Sequence, residues 1–542
     1  MKKNIITSLL FIGLLGLAMG SYARKVPVAE NRSQQQGSQV RLKSTAEACL
    51  PGAVSTELKI NNVRARINSG GDMWWDLADV AQYEVPYGSK MTSMFAGALW
   101  IGGTDINGQL KLAAHRYRQV GNDFFPGPLT IDGTASVSAE TCIKYDKMNV
   151  IYRKDVDEFL AWQASPSDYP DYTMPSYFST YPAMGDELLG QSRYLAPFFD
   201  ANEDLFYNPL DGDYPYYDID NDLCHQPDST LETIEGIVSG GILADQVLKG
   251  DQTIWWVFND KGNVHTETQG AAIGLEIRAQ AFAFSTNDEI NNMTFYSFEI
   301  INRSTYTLQE TYMSLWTDPD LGYGFDDYVG CDVLRGLGYA YNGDQYDEDG
   351  SGAFGYGDQP PAVGIDFFQG PYMDPDGIDN PAFVKTTDSS GATVIENCNE
   401  AVNGVNFGNG IIDDERYGMR RFVYHNNWGT VPPYMTDPDI AIEYYNFLRG
   451  YWKDNTRMLY GGNAHVSSGA YGPECDFMFP DETDPCDWGT GGVPPAGPRK
   501  WTEETAGNQP YDRRFMQSAG PFTLKPERKI APAPRKPMPE TT

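Results

Sequence analysis

Basic residues and histidines are scarce in this chain of 542 residues. Its 40 lysines and arginines face 74 aspartates and glutamates, which leaves a formal net charge of -34 at pH 7. Nucleic acids and anionic membrane surfaces bind clustered positive charge, so this balance argues against both as partners. An acidic surface attracts divalent cations instead. The 5 histidines form no HExxH pair of the kind that holds zinc.

Several motifs of common enzyme classes are also missing. The sequence has no CxxC pair, no GxSxG nucleophile elbow and no phosphate-binding GxxxxGK loop. These absences argue against a zinc knuckle, a thioredoxin-type redox site, an α/β-hydrolase and a P-loop enzyme. Strands do not alternate with helices along the chain, which argues against Rossmann and TIM-barrel folds. No catalytic residue is assigned.

Long apolar runs are confined to the amino terminus. Lys2 and Lys3 precede the apolar residues 5–19, and Ser21 and Ala23 supply the small residues of a cleavage site. This pattern predicts a secretory signal peptide over residues 1–23 that is cleaved near Ala23. It predicts a mature chain that is secreted or displayed at the cell surface and has no membrane span.

Seven cysteines follow the predicted signal peptide. Cysteines of an exported chain are free to pair in an oxidising compartment. Cys475 and Cys486 lie in one acidic loop rich in glycine and proline, so we predict that they pair with each other. The odd number leaves at least one thiol unpaired.

Alternation of apolar and polar residues predicts a mainly β protein. The clearest strands span residues 252–260, 273–285, 292–304 and 311–318. Strands at this spacing predict an antiparallel β-sandwich, jelly-roll or immunoglobulin-like, with long acidic loops and a few short helices. Two helices are predicted, at residues 154–164 and at 437–452, where Asp437 would cap the amino terminus.

These patterns also divide the chain into regions. A disordered leader is predicted over residues 24–47 because the segment is polar. The predicted regions that follow are an amino-terminal β-rich region with a long acidic loop (48–240), central sandwich strands (241–340), a loop-rich acidic region with one helix (341–524) and a proline-rich basic tail (525–542).

Oxygen-rich loops carry the clearest chemical signal. The segment "DEDGSGAFGYGD" (347–358) has the ligand spacing of a twelve-residue calcium loop, and "DANEDLFYNPLD" (200–211) repeats it without the turn glycine. Further acidic clusters are "TDPDLGYGFDDYVGCD", "DPDGIDN" and "NGVNFGNGIIDDE". Calcium takes six to eight oxygen ligands, so we predict calcium as the bound ion. The predicted ligands are Asp200, Asn202, Asp204, Asp211, Asp318, Asp320, Asp347, Asp349, Ser351, Asp358, Asp374 and Asp376.

Each acidic cluster also has a simpler interpretation. Aspartate, asparagine and glycine favour turns with or without a metal, so solvated turns are the alternative. The loop at 347–358 is not expected to be an EF-hand, because glycines precede it and Pro360 and Pro361 follow it. Helices on both sides are therefore excluded, and a static site that orders a loop is preferred to a switch.

The abundant tryptophans suggest a carbohydrate ligand. The tryptophans that could stack against sugar rings are Trp74, Trp75, Trp255, Trp256, Trp316, Trp428 and Trp452. The alternative is that most of them are buried in the core.

We predict a secreted, calcium-stabilised surface or extracellular protein with a structural, adhesive or ligand-binding role, whose partners are cell-surface or matrix components or glycans. The competing hypothesis is a secreted carbohydrate-active hydrolase that uses paired carboxylates.

A family resemblance supports export. The segments "WWVFND", "FYSFEIINRS", "TDPDLGYGFDDYVGCD", "YGDQPPAVGIDFFQG" and "WTEETAGNQPYDRRFMQSAGPFTL" resemble the amino-terminal region of large, uncharacterised secreted surface proteins of Bacteroidota-type bacteria. The resemblance covers roughly residues 50–524 and implies type IX secretion cargo without implying a reaction. Such proteins continue into further β-domains and a sorting domain, whereas this chain becomes basic and proline-rich after "AGPFTL".

Overall fold

The computed structural model describes residues 48–216, 249–382, 384–387, 393–396, 398, 403–426 and 431–527. The predicted signal peptide and leader lie outside the described residues, as do Cys224, Trp428 and most of the predicted tail. The fold is mainly β with a few short helices, as predicted, and every pair of strands within the described residues is antiparallel. None of the helices in these ranges combines the length and apolarity needed to cross a membrane.

The described residues form 26 strands and four α-helices. The strands are β1 (Ser55–Leu58), β2 (Arg64–Asn68), β3 (Asp72–Met73), β4 (Tyr83–Glu84), β5 (Thr92–Met94), β6 (Ala96–Asp105), β7 (Leu110–Ala114), β8 (Phe125–Pro126), β9 (Asn149–Tyr152), β10 (Phe198–Phe199), β11 (Tyr214–Pro215), β12 (Gln252–Asn259), β13 (Leu275–Ala283), β14 (Phe295–Asn302), β15 (Leu308–Asp318), β16 (Asp327–Asp332), β17 (Leu337–Asn342), β18 (Tyr346–Asp347), β19 (Gly357–Asp358), β20 (Ala362–Asp366), β21 (Val384–Thr387), β22 (Thr393–Glu396), β23 (Gly404–Val405), β24 (Arg416–Tyr417), β25 (Arg421–His425) and β26 (Arg514–Leu524). The α-helices are α1 (Ala139–Tyr145), α2 (Arg153–Ala164), α3 (Ala441–Leu448) and α4 (Glu503–Ala506). Short 3-10 helices span Pro166–Asp168, Phe178–Thr180, Glu187–Leu189, Glu289–Asn292, Pro433–Met435, Val466–Ser468 and Trp488–Thr490.

The largest sheet has ten strands and takes them from three of the predicted regions. Its order is β25-β26-β15-β6-β3-β2-β4-β5, with β1 beside β2 and β7 beside β6. The central strand β6 is apolar from Ala96 to Gly103, where both of its faces are covered. Trp100 packs in a cluster with α3, whereas Leu99 and Ile101 enter a second cluster on the opposite face.

A second sheet has five strands in the order β14-β13-β12-β8, with β9 beside β12. It contains three of the strands predicted at the centre of the chain. Ile277 on β13 and Trp256 on β12 are buried in the same cluster as Leu99 and Ile101 of the larger sheet. Two sheets that share one hydrophobic core are consistent with the predicted sandwich.

Smaller sheets complete the fold. The strands β16, β17 and β20 form one sheet, and the pairs β10-β11, β18-β19, β21-β22 and β23-β24 form the others. On β17, Gly338 and Ala340 are buried against the larger sheet, while Tyr339 and Tyr341 point away from it and are half-buried. This orientation leaves two half-buried tyrosines on one face of β17.

The helix prediction at 154–164 is confirmed by α2, whereas the one at 437–452 is too long. Helix α3 begins at Ala441 after Ile440, which supplies no side-chain cap. Asp437 is therefore not the cap. Its carboxylate instead forms an ion pair with Arg116 at 2.9 Å, because a buried guanidinium attracts it more strongly than a solvated helix end.

The predicted disulfide between Cys475 and Cys486 is wrong. Cys486 pairs with Cys398, and Cys49 pairs with Cys142. Cys475 is a buried free thiol whose backbone N–H donates to the Met458 carbonyl at 2.9 Å, which fixes it in the core. Two cysteines in one loop did not pair with each other here. The loop packs against a distant segment of the chain, and Cys398 of that segment bonds to Cys486.

This pairing predicts the reactivity of the thiols. Cys331 and Cys475 should resist alkylation in the native protein and react only after unfolding, because burial raises the pKa of both thiols and removes the reactive thiolate. Peptide mapping by mass spectrometry after native and denaturing alkylation measures this directly. A Cys475–Cys486 peptide, or native labelling of Cys475, would contradict the assignment.

Candidate metal centre

Three carboxylates meet where strand β15 ends. Asp318, Asp320 and Asp512 are buried, and each offers a ligand oxygen that lies within 4.8 Å of the other two. Antiparallel pairing creates this meeting, because Thr317 on β15 is the register partner of Phe515 on β26. The chain leaving β15 and the chain entering β26 therefore lie side by side.

Positive charge compensates only part of this cluster. The Arg514 guanidinium lies 2.5 Å from Asp512 Oδ1 and 3.4 Å from Asp318 Oδ2, and the Tyr117 hydroxyl donates to Asp318 Oδ2 at 2.6 Å. Three carboxylates close to one guanidinium concentrate negative charge in a buried place. Burial, followed by the charges of Asp320 and Asp512, raises the pKa of Asp318 well above its usual range.

One oxygen of the cluster is unsatisfied. Asp318 is 1% exposed, and its Oδ1 accepts no hydrogen bond from any residue that the structure describes. A buried acceptor without a partner costs about 1–3 kcal/mol. A cation that these three residues hold would satisfy this oxygen if it binds Asp318 through Oδ1, and it would offset the negative charge of the cluster.

A second acidic group interacts with the first through Asp320. Asp327 is fully buried, and its Oδ2 accepts the Leu321 N–H at 3.0 Å, while its Oδ1 has no partner among the described residues. Burial and then the charges of Asp320, Asp326 and Asp347 raise its pKa well above the usual range. Burial, with Asp347 next, raises the pKa of Asp326 to about 7.

Asp347 joins this group although it lies far from it in sequence. Its Oδ1 accepts the Tyr323 N–H at 2.9 Å, and its Oδ2 accepts the Tyr356 N–H at 2.6 Å. The loop between β15 and β16 approaches Asp347 closely because it has a glycine at position 322. A side chain at Gly322 would collide with the Asp347 carboxylate. Two segments predicted as separate acidic clusters thus form one neighbourhood.

The other predicted ligands of the 347–358 loop do not join Asp347. The segment is a β-hairpin in which β18 pairs with β19, without flanking helices. Asp349 Oδ1 accepts the Gly355 N–H at 2.9 Å within the hairpin. Ser351 and Asp358 are exposed. The expectation that this loop is not an EF-hand is confirmed for the described structure.

The loop at 200–211 is organised around two buried carboxylates. Asp200 accepts the Leu205 N–H at 2.7 Å, and Asp213 accepts the Ala201 and Asn208 N–H groups at 2.8 and 2.7 Å. The remaining predicted ligands, Asn202, Asp204 and Asp211, are exposed. Asp213 was not among the predicted ligands, and burial raises its pKa.

The last two predicted ligands, Asp374 and Asp376, form hydrogen bonds that link separate backbone segments. Asp374 accepts the Thr523 N–H and the Thr523 hydroxyl, both at 2.7 Å, so it anchors its loop to β26. The backbone N–H of Asp376 donates to Asp413 at 2.8 Å, which joins two acidic segments of the sequence. These hydrogen bonds are those of acidic turns, which is the simpler interpretation of this region.

The predicted tryptophan platforms are wrong, and the core alternative is confirmed for those that the structure describes. The buried tryptophans are Trp74, Trp75, Trp255, Trp256, Trp316 and Trp452, none more than 2% exposed. Trp316 stacks on Trp100 with ring centroids 5.9 Å apart, inside the larger cluster. The adjacent Trp74 and Trp75 enter different clusters, so both sides of the chain are covered there and alternation alone did not predict their burial.

The described histidines are structural. His115, His265, His425 and His465 are all buried, and His225 lies outside the described residues. His115 Nε2 accepts the backbone N–H groups of Asp123 and Phe124 at 2.9 and 3.2 Å, so it acts as a neutral acceptor. Burial and then the charge of Arg118 lower the pKa of His115 to about 3, while Asp72 opposes the shift.

His115 predicts a loss of stability in mild acid. Its folded pKa of about 3 lies below the value of about 6.5 in an unfolded chain, so the unfolded state takes up the proton first. This contribution to the free energy of unfolding is present above pH 6.5 and falls by about 2 kcal/mol at pH 5. Denaturant unfolding above pH 6.5 and at pH 5 should show that His115→Gln loses less free energy of unfolding on acidification than the wild type does. Equal losses in the two proteins would refute the assignment.

Comparisons with known proteins add no relative. The chain matches no protein-family model, and no curated protein or solved structure matches it. The resemblance to secreted surface proteins of Bacteroidota-type bacteria therefore stays a prediction.

Proposed function

We propose that this chain is an exported surface or extracellular protein whose fold is stabilised by calcium, with a structural, adhesive or ligand-binding role. The observation that carries the metal proposal is the cluster of Asp318, Asp320 and Asp512, with its excess charge and the unsatisfied Asp318 Oδ1. The signal-peptide pattern supports export, and two disulfides suit an oxidising compartment.

Calcium fits this cluster better than other common ions. Its donors are carboxylate oxygens, whereas zinc prefers histidine and cysteine ligands. Magnesium demands a near-ideal octahedron and keeps several waters, which suits exposed sites. Calcium tolerates irregular ligand sets, and the ligands here come from two different loops. A divalent ion would also offset the negative charge that the three carboxylates concentrate there.

Metal content tests the proposal directly. We expect the secreted protein, desalted from a calcium buffer, to retain at least one calcium ion per chain by elemental analysis. Asp320→Asn should lower that number by one, because it removes a charged ligand at the centre of the cluster. Asp79→Asn, an exposed aspartate outside the cluster, is the matched control and should leave the content unchanged. A metal-free wild-type protein would refute the calcium proposal.

A further inference from the structure

A groove of about 460 Å³ lies beside strand β17. It shares no lining residue with the acidic cluster at the end of β15. Tyr339 and Tyr341 form one wall, and Asp481, Lys500 and Glu504 supply charged groups around it. Its volume falls within the range of about 300–1,000 Å³ that is typical of small-molecule sites.

Strand register explains why the tyrosine rings are accessible. Tyr339 and Tyr341 lie two residues apart, so they share the outward face of β17, and their ring centroids are 5.9 Å apart. Their partners on β20 are Gly364 and Ala362, both exposed and too small to cover an aromatic ring. The sheet thus presents two adjacent rings that no neighbouring side chain of β20 covers.

Polar side chains lie beside these rings. The Tyr341 hydroxyl donates to Glu504 Oε2 at 2.8 Å, which fixes the ring and the carboxylate relative to each other. Asp481 has a left-handed backbone with φ 49°, and its buried Oδ1 accepts no hydrogen bond from the described residues. Aspartate tolerates this backbone conformation, and as a lining residue Asp481 brings a carboxylate acceptor to the groove.

We propose that this groove binds a neutral saccharide. A sugar ring has an apolar face of C–H groups that can lie on Tyr339 or Tyr341, and hydroxyls at its edge that can donate to Asp481 and Glu504. The two carboxylates exceed the single ammonium of Lys500, so an acidic sugar would be repelled. This inference deepens the ligand-binding part of the proposed function and does not require the metal cluster for its contacts.

Titration with tetrasaccharides tests the proposal. Cellotetraose, maltotetraose and chitotetraose serve as neutral probes and tetragalacturonate as the acidic probe, with calcium in excess throughout. We expect calorimetry to detect binding of at least one neutral probe and none of the acidic one. Tyr341→Ala should weaken binding by about tenfold or more, because it removes one stacking ring, and Asp481→Asn should weaken it as well.

Two further variants separate ring loss from general damage. Tyr341→Phe keeps the ring and should change affinity much less than Tyr341→Ala does. Tyr169→Ala removes a tyrosine that is exposed elsewhere, and it should bind like the wild type. Wild-type binding to none of the neutral probes, preference for tetragalacturonate, or an unchanged affinity in Tyr341→Ala would each overturn the proposal. Calcium content measured on the same samples shows separately whether the metal proposal holds.

Discussion

We expect chelation of calcium to lower the free energy of unfolding by about 4 kcal/mol when the protein has been held at calcium a thousandfold above its dissociation constant. The physical reason is the excess negative charge at the end of β15. Without the ion, Asp318, Asp320 and Asp512 repel one another in a buried place where Arg514 supplies the compensating cation. The two strands that meet there, β15 and β26, belong to the largest sheet, so local repulsion acts on the whole fold.

Denaturant unfolding with calcium and with excess chelator measures this effect. Asp320→Asn should lose most of the difference between the two conditions, since it removes a ligand and one repelling charge together. Asp79→Asn should retain the full difference. Magnesium added after chelation should restore less stability than calcium restores, because it dehydrates reluctantly. Equal unfolding curves with and without calcium would contradict a structural role for the ion.

Strands were predictable where one residue in two faces the core. On β13, Leu275, Ile277 and Ala279 are fully buried, and Arg278 and Gln280 are less buried, as the alternation indicated. Glu276, predicted on the polar face, is fully buried as well, where it pairs with Arg303. Partnership between strands was not predictable. Strand β15 pairs with β26 across some 200 residues of sequence, and nothing local in either segment indicates the other.

The same limit applies to the candidate site. The spacing of Asp318 and Asp320 identified two of its carboxylates, but Asp512 has no acidic neighbour at ligand spacing. Only the pairing of β15 with β26 brings it there. Conversely, Ser351 and Asp358 had the right spacing and are exposed. Turn-forming residues recur at alternate positions in hairpins for backbone reasons, so spacing alone overestimates ligands.

A buried ion pair near the carboxy terminus predicts the second large effect. Glu503, at the start of α4, is fully buried, and Arg513 is 4% exposed. Their closest atoms, Arg513 Nη2 and Glu503 Oε2, lie 2.9 Å apart, and Arg513 Nε is 3.1 Å from the same oxygen. Glu503 Oε1 also accepts the Val329 N–H at 2.8 Å, so this carboxylate joins α4 to strand β16.

Arg513→Met should lower the free energy of unfolding by about 3–5 kcal/mol, because it leaves the Glu503 carboxylate buried without its cation. Denaturant unfolding of the single variant, of Glu503→Gln and of the double variant measures the coupling between the two side chains. The double variant should lose less stability than the sum of the single losses, since neutral glutamine needs no cation. Arg335→Met, which removes an exposed partner of Asp332, should cost less than about 1 kcal/mol. Additive losses in the double variant would show that Arg513 acts through packing, because a charged pair couples and two independent side chains do not.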